Sequence, residues 1–136
     1  MKTSKISNKT EFLNIDLDLV CPEKLSPLLK EVSKQVFELY HEKKKGKDTA
    51  SLEINDIYPG SQDAEKTLRK FCDILEKLTP TSKRIWNKCK RKCFNIGFEA
   101  GSKPYRFEEK LSVNTLKRVA KLNANIEITI YSIGKK

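Results

Sequence analysis

Four stretches of this chain alternate apolar and polar side chains with a period of two, and no other feature limits its fold so tightly. Leu13, Ile15, Leu17 and Leu19 alternate with Asn14, Asp16 and Asp18 in the first. Leu52 and Ile54 alternate with Ser51, Glu53 and Asn55 in the second. In the third, Phe94, Ile96, Phe98 and Ala100 alternate with Asn95, Gly97 and Glu99; in the fourth, Ile126, Ile128 and Ile130 with Glu127, Thr129 and Tyr131. Successive side chains of a strand point to opposite faces, so each stretch reads as a strand with one apolar and one polar face. Strands covered by helices on both sides read instead as continuous apolar runs. The alternation therefore predicts a sheet covered on one side only.

Between these stretches the period changes. In "KLSPLLKEVSKQVFELYHEK", Leu25, Leu28, Leu29, Val32, Val36 and Leu39 recur at helical spacing, which predicts a helix opened by Ser26 and Pro27 and fading in "HEKKKGKD". After the loop "YPGSQD", the stripe Ala64, Leu68, Phe71, Leu75 and Leu78 marks a second helix. Thr79 and Pro80 start a third, on which Ile85, Trp86, Cys89 and Cys93 share one arc, so that Trp86 faces the core. "SKPYRFEEK" reads as a short edge strand or a packed loop, and Ser112 opens a last helix in "LSVNTLKRVAKLN".

Strand, helix and strand thus occur twice in the same order: "LNIDLDLV", "EKLSPLLKEV" and "ASLEINDIY", then "FNIGFEAG", "EKLSVNTLKRV" and "ANIEITIYSI". This predicts two βαβ units, 12–56 and 93–133, joined by a helical connector over 61–92. The expected class is α+β, a two-layer sandwich whose four-stranded ferredoxin-like sheet carries its helices on one face. Residues 10–136 form one domain on this reading, preceded by a loose basic tail over 1–9. No stretch has the length and apolarity of a signal peptide or a membrane span, so the expected location is cytoplasmic.

The stretches "LSVNTLKRVAKLNANIEITIYSI" and "LNIDLDLVCPEKLSPLLKEV" resemble the bacterial domain of unknown function numbered 4279, whose members end in a similar helix and an "-IDIY" type strand. The resemblance covers both halves but not the basic segment between Lys77 and Cys93. It implies a compact α+β domain of a bacterial cell with no assigned activity and no catalytic residue to carry over.

Charge carries the remaining functional signal. Lys and Arg number 28 against 18 Asp and Glu, a formal net charge of +10, which favours an anionic partner. Lys83, Arg84, Lys88, Lys90, Arg91 and Lys92 fall in a stretch without a carboxylate, and on a helix they would surround the apolar arc; this is the candidate phosphate-binding surface for nucleic acid. The polar strand positions are of opposite character. Asp16, Asp18, Glu53, Glu99 and Glu127 all belong to the uncovered face, the candidate docking surface for a protein, peptide or other cationic ligand. Aromatic residues are not interleaved with them as base-stacking platforms would need.

The four cysteines, Cys21, Cys72, Cys89 and Cys93, lack zinc-ligand spacing and read as reduced, buried apolar residues. The lone histidine, His41, reads as a polar residue at a helix C-terminus. No catalytic residue, metal site or cofactor is assigned. The expected function is a non-enzymatic protein-binding module, regulatory or of immunity type, acting through the acidic sheet face. The alternative is a nucleic-acid-associated protein acting through the basic 83–92 segment.

Overall fold

A computed structural model describes residues 8–55 and 63–132. Most of the expected tail, residues 58–62 of the loop before the second helix, and Ile133 lie outside the described residues. The chain runs β1 (Glu11–Cys21), α1 (Ser26–Val32), β2 (Val36–Lys44), β3 (Lys47–Ile54), α2 (Ala64–Glu76), α3 (Pro80–Lys88), β4 (Arg91–Glu99), α4 (Val113–Lys121) and β5 (Asn125–Tyr131). It is an α+β protein with one five-stranded mixed sheet in the order β2-β3-β1-β4-β5.

β1 lies at the centre, antiparallel to both β3 and β4; β2 and β3 form an antiparallel hairpin, and β4 and β5 run parallel. The two halves therefore share an order of elements but not a topology. β4, α4 and β5 make a parallel βαβ crossover, as expected. β1 and β3 are antiparallel neighbours separated in sequence by α1 and an additional strand, so residues 12–56 are not a βαβ unit, and the sheet has five strands rather than the four of a ferredoxin-like arrangement.

The additional strand is β2, which the helical spacing of Val36 and Leu39 assigns to the first helix. That helix ends at Val32, and Val36 enters the core from a strand instead. The opening of α1 differs too. No side chain of its own caps it; the Asp48 carboxylate reaches across from β3 and accepts the Leu25 N–H at 3.0 Å. The other three helices start as the sequence suggests. Asp63 accepts from the Lys66 N–H, Thr79 from that of Ser82 and Ser112 from that of Thr115, satisfying donors that the helix itself leaves free.

One face of the sheet is apolar and carries the helices. Ile15, Leu17, Leu19 and Cys21 of β1, Leu52 and Ile54 of β3, and Phe94 and Ile96 of β4 meet Leu28 of α1, Leu68 and Phe71 of α2 and Trp86 of α3 in one cluster. A bulge at the start of β1 gives the inward place there to Phe12, leaving Leu13 more exposed. The Phe71 and Phe94 rings meet at a tilt of 55° with centroids 5.3 Å apart, within the range of favourable aromatic pairs. The Trp86 ring is buried as expected, and its indole N–H donates to the Leu122 carbonyl at 2.8 Å, tying α3 to the end of α4.

The segment after β4 is a packed loop. Phe107 meets Phe98 edge-on at 5.8 Å, and Lys103 exchanges backbone hydrogen bonds with Asn8 and Thr10. Gly101 permits that pairing, because a Cβ at this position would run into the Asn8 carbonyl.

Candidate functional site

Among the described residues the second face of the sheet carries no helix, and its rows follow from the strand register. The central row reads Phe37, Glu53, Asp16, Asn95 and Glu127 from β2 to β5; the next reads Tyr40, Ser51, Asp18, Cys93 and Asn125. Four of the five expected carboxylates, Asp16, Asp18, Glu53 and Glu127, thus fall in two adjacent rows. Glu99 lies apart at the far end of β4, opposite Glu11.

The geometry within this cluster is crowded. The Asn14 amide donates to Asp16 Oδ1 at 2.9 Å and to Glu53 Oε2 at 2.8 Å, bridging the two carboxyls. The Ser51 hydroxyl donates to Asp18 at 2.9 Å. Burial, with the charges of Glu53 and Asp18 adding to it, pushes the Asp16 carboxyl up to about 6. Desolvation and like charge both disfavour an anion, so a neighbouring cation would relieve both.

One cation already sits at the β5 side. The Arg91 guanidinium is 3.2 Å from Glu127 and 3.8 Å from Asp18, and Asn95 donates to Glu127 at 3.2 Å. No cation among the described residues is paired with Asp16 or Glu53. Aromatic side chains border the cluster: Phe37 and Tyr40 from β2 are exposed on one flank, and Tyr131 on the other lies 3.8 Å from where a Gly97 Cβ would be.

The basic segment does not form one surface. α3 ends at Lys88, and Cys89 is already extended. Lys83, Arg84 and Lys88 stand on the helix, where Arg84 and Lys88 both pair with Glu23, at 3.2 and 3.5 Å. Lys90 is exposed in the connection, and its backbone N–H donates to the Val20 carbonyl. Arg91 belongs to β4 and points to the acidic face. Lys92 turns inward; it is 7% exposed, with its ammonium on the Trp86 and Cys89 carbonyls and 5.9 Å from the Trp86 ring centroid. The expected basic helix is thus divided among three environments, because the change from helical to strand period comes after Lys88 rather than after Cys93.

Cys93 accordingly leaves the core arc and sits on the acidic face, covered there to 2% exposure. All four cysteines are buried and none forms a disulfide. Burial pushes the Cys72 thiol up to about 11 and also raises Cys89, so both remain protonated at neutral pH. His41 is not at a helix terminus. It lies on β2 with Nε2 3.3 Å from Asp48 Oδ2, the same oxygen that takes the Leu25 N–H. The pair joins the β2-β3 hairpin to the start of α1.

Sequence reasoning missed Asn14 as the carboxyl bridge, Arg91 as the resident cation and Phe37 and Tyr40 as the border. For Arg91 a signal was present: it is in phase with Asn95 and Gly97 at period two. The chain matches no protein-family model, and no curated protein or solved structure matches it. No described helix is long and apolar enough to cross a membrane.

Proposed function

We propose that the protein is a non-enzymatic binding module whose uncovered sheet face docks a basic segment of another protein, in a regulatory or toxin-neutralising role. The observation that carries this reading is the Asp16 carboxyl bridged by Asn14 to Glu53 and close to Asp18, crowded enough that its pKa is raised to about 6. An incoming Lys or Arg would offset the repulsion on the Asp16 carboxylate and donate to the carboxylate oxygens of the cluster, while Phe37, Tyr40 and Tyr131 offer ring faces to a cation. The net charge of +10 opposes a basic partner at long range. At physiological salt that repulsion fades beyond about 8 Å, and the local cluster decides the contact.

A peptide rich in Lys and Arg, titrated against the full chain, tests the reading. Binding should fall about tenfold or more when Asp16, Asp18 and Glu53 become Asn, Asn and Gln, since each lost charged contact is worth about 1 kcal/mol or more. Replacing Lys83, Arg84 and Lys88 by Gln should leave it unchanged. Equal binding by the neutralised face would end the proposal.

The second reading, nucleic-acid binding, rests on the three α3 cations alone, two of which already share Glu23. Phosphate contacts would show a steep loss of affinity with rising salt, carried by Lys83 and its neighbours.

A further inference from the structure

Seven of the eleven large apolar side chains exposed among the described residues lie between Tyr105 and Tyr131, in the β4-α4-β5 crossover. Ile128 is 59% exposed, Ile130 66% and Tyr131 56%. The two isoleucines border an apolar groove of about 410 Å³ with Ile96, Phe98, Phe107 and Leu111. α4 adds exposed Val113 and Leu116 on the same side of the sheet.

Among the described residues β5 is also an edge of the sheet, paired only with β4. The Tyr131 carbonyl accepts from the Ala100 N–H at 2.8 Å, so the peptide groups of residue 131, and by alternation of 125, 127 and 129, turn toward β4. Those of Ile126, Ile128 and Ile130 turn outward, a row of donors and acceptors open among the described residues. The two edges of the sheet are protected unequally. β2 carries Glu38, Glu42, Lys43 and Lys44 and a bulge at Leu39, all of which discourage strand addition. β5 has one charge, Glu127, and neither a proline nor a bulge.

We propose that the outer edge of β5 pairs antiparallel with β5 of a second copy of this chain, about a two-fold axis through Ile128, to make a continuous ten-stranded sheet. The sequence of the strand selects both the partner and the register. With Ile128 opposite itself, Ile126 faces Ile130 of the second copy, Glu127 faces Thr129, and Asn125 faces Tyr131. All seven residues are paired, the outward-facing peptide groups form about six hydrogen bonds, and no like charges meet.

Other registers are poorer. Shifted one way, Glu127 stands against Glu127; shifted the other, Ile126 loses its partner. A two-fold axis normal to the sheet keeps both apolar faces on one side, so the two grooves meet and cover each other's isoleucines. A stable interface needs roughly 800 Å² per partner. The strand edge alone is too small, and Phe107, Val113 and Leu116 extend it on the helical side. This pairing is independent of the acidic face, which stays open in the dimer.

Sedimentation equilibrium of the full chain over a concentration series tests the proposal, with Ile128→Lys and Phe37→Lys as edge variants; both positions are exposed, and circular dichroism confirms that each variant folds. The wild-type chain should be a dimer, Ile128→Lys a monomer at the same concentrations, and Phe37→Lys a dimer. The register is read from cysteine cross-linking. Ile128→Cys should join two chains through a single disulfide, since directly opposed hydrogen-bonded residues lie about 5.5 Å apart between Cα atoms. Ile130→Cys alone should not, whereas mixing Ile126→Cys with Ile130→Cys chains should. A monomeric wild type, a dimer that survives Ile128→Lys, or open polymers abolished equally by Phe37→Lys would each overturn it.

Discussion

Replacing Asp16 by Asn should stabilise the protein at neutral pH, contrary to the usual effect of changing a half-buried, hydrogen-bonded residue. The Asp16 carboxyl is raised from 3.8 to about 6, mainly by burial and further by Glu53 and Asp18. Between those values the folded chain holds more proton at this site than the unfolded chain. Stability therefore falls as pH rises through the window, and the full penalty applies above pH 6. A shift of about two units corresponds to at most about 3 kcal/mol, at about 1.4 kcal/mol each. The side chain is only half-buried, and solvent screening leaves about 1 kcal/mol. The substituted amide carries no charge and can donate to Glu53 in place of receiving from Asn14. Urea denaturation of both proteins at pH 7 and pH 3.5 measures the difference. The variant should gain about 1 kcal/mol at pH 7, or about 4 °C in Tm, and the gain should vanish at pH 3.5. A variant that is less stable at pH 7, or whose advantage is the same at both pH values, would refute the account of a strained carboxylate cluster.

Two further substitutions probe how the helices are anchored. The Glu65 carboxylate accepts hydrogen bonds from the Ser112 N–H, the Ser112 hydroxyl and the Thr115 hydroxyl; burial acts to raise its pKa, but these bonds outweigh it and hold the carboxyl below its usual 4.5. Glu65→Ala should cost about 2 kcal/mol in urea denaturation at pH 7, and progressively less as pH falls from about 4.5, where the unfolded carboxyl protonates, through the lowered pKa of the folded one. Asp48→Ala removes the acceptor of the buried Leu25 N–H together with the partner of His41. It should cost about 1–3 kcal/mol and speed hydrogen exchange at the Leu25 amide, read by NMR.

The alternating pattern made the uncovered face legible, because period two survives wherever one side of a strand is buried and the other is not. It placed Asp16, Asp18, Glu53, Glu99 and Glu127 on the same face. It did not show that Glu53 lies beside Asp16 while Glu99 lies remote, since lateral neighbours depend on strand order. β2 was hidden for a particular reason. Val36 and Leu39 continue the i, i+4, i+7 series of α1, and the bulge at Leu39 breaks the alternation that would have marked a strand. Similarly, Cys89 and Cys93 sit one helical turn apart, so their spacing concealed the entry into β4. The repeated strand-helix-strand order misled about pairing because amphipathic pattern sets which side is buried and not the direction of the neighbouring strand.

The position of β1 bears on how the chain is made. β1 is made before its neighbours and occupies the middle of the sheet, and its partner β4 begins only at Arg91. At synthesis rates of about 5–20 residues per second, roughly 4–15 s pass before that edge can be closed. During that interval the β2-β3 hairpin can already shield the other edge. The nascent molecule thus presents Ile15, Leu17 and Leu19 beside an unfilled slot, which gives chaperones a defined window of engagement.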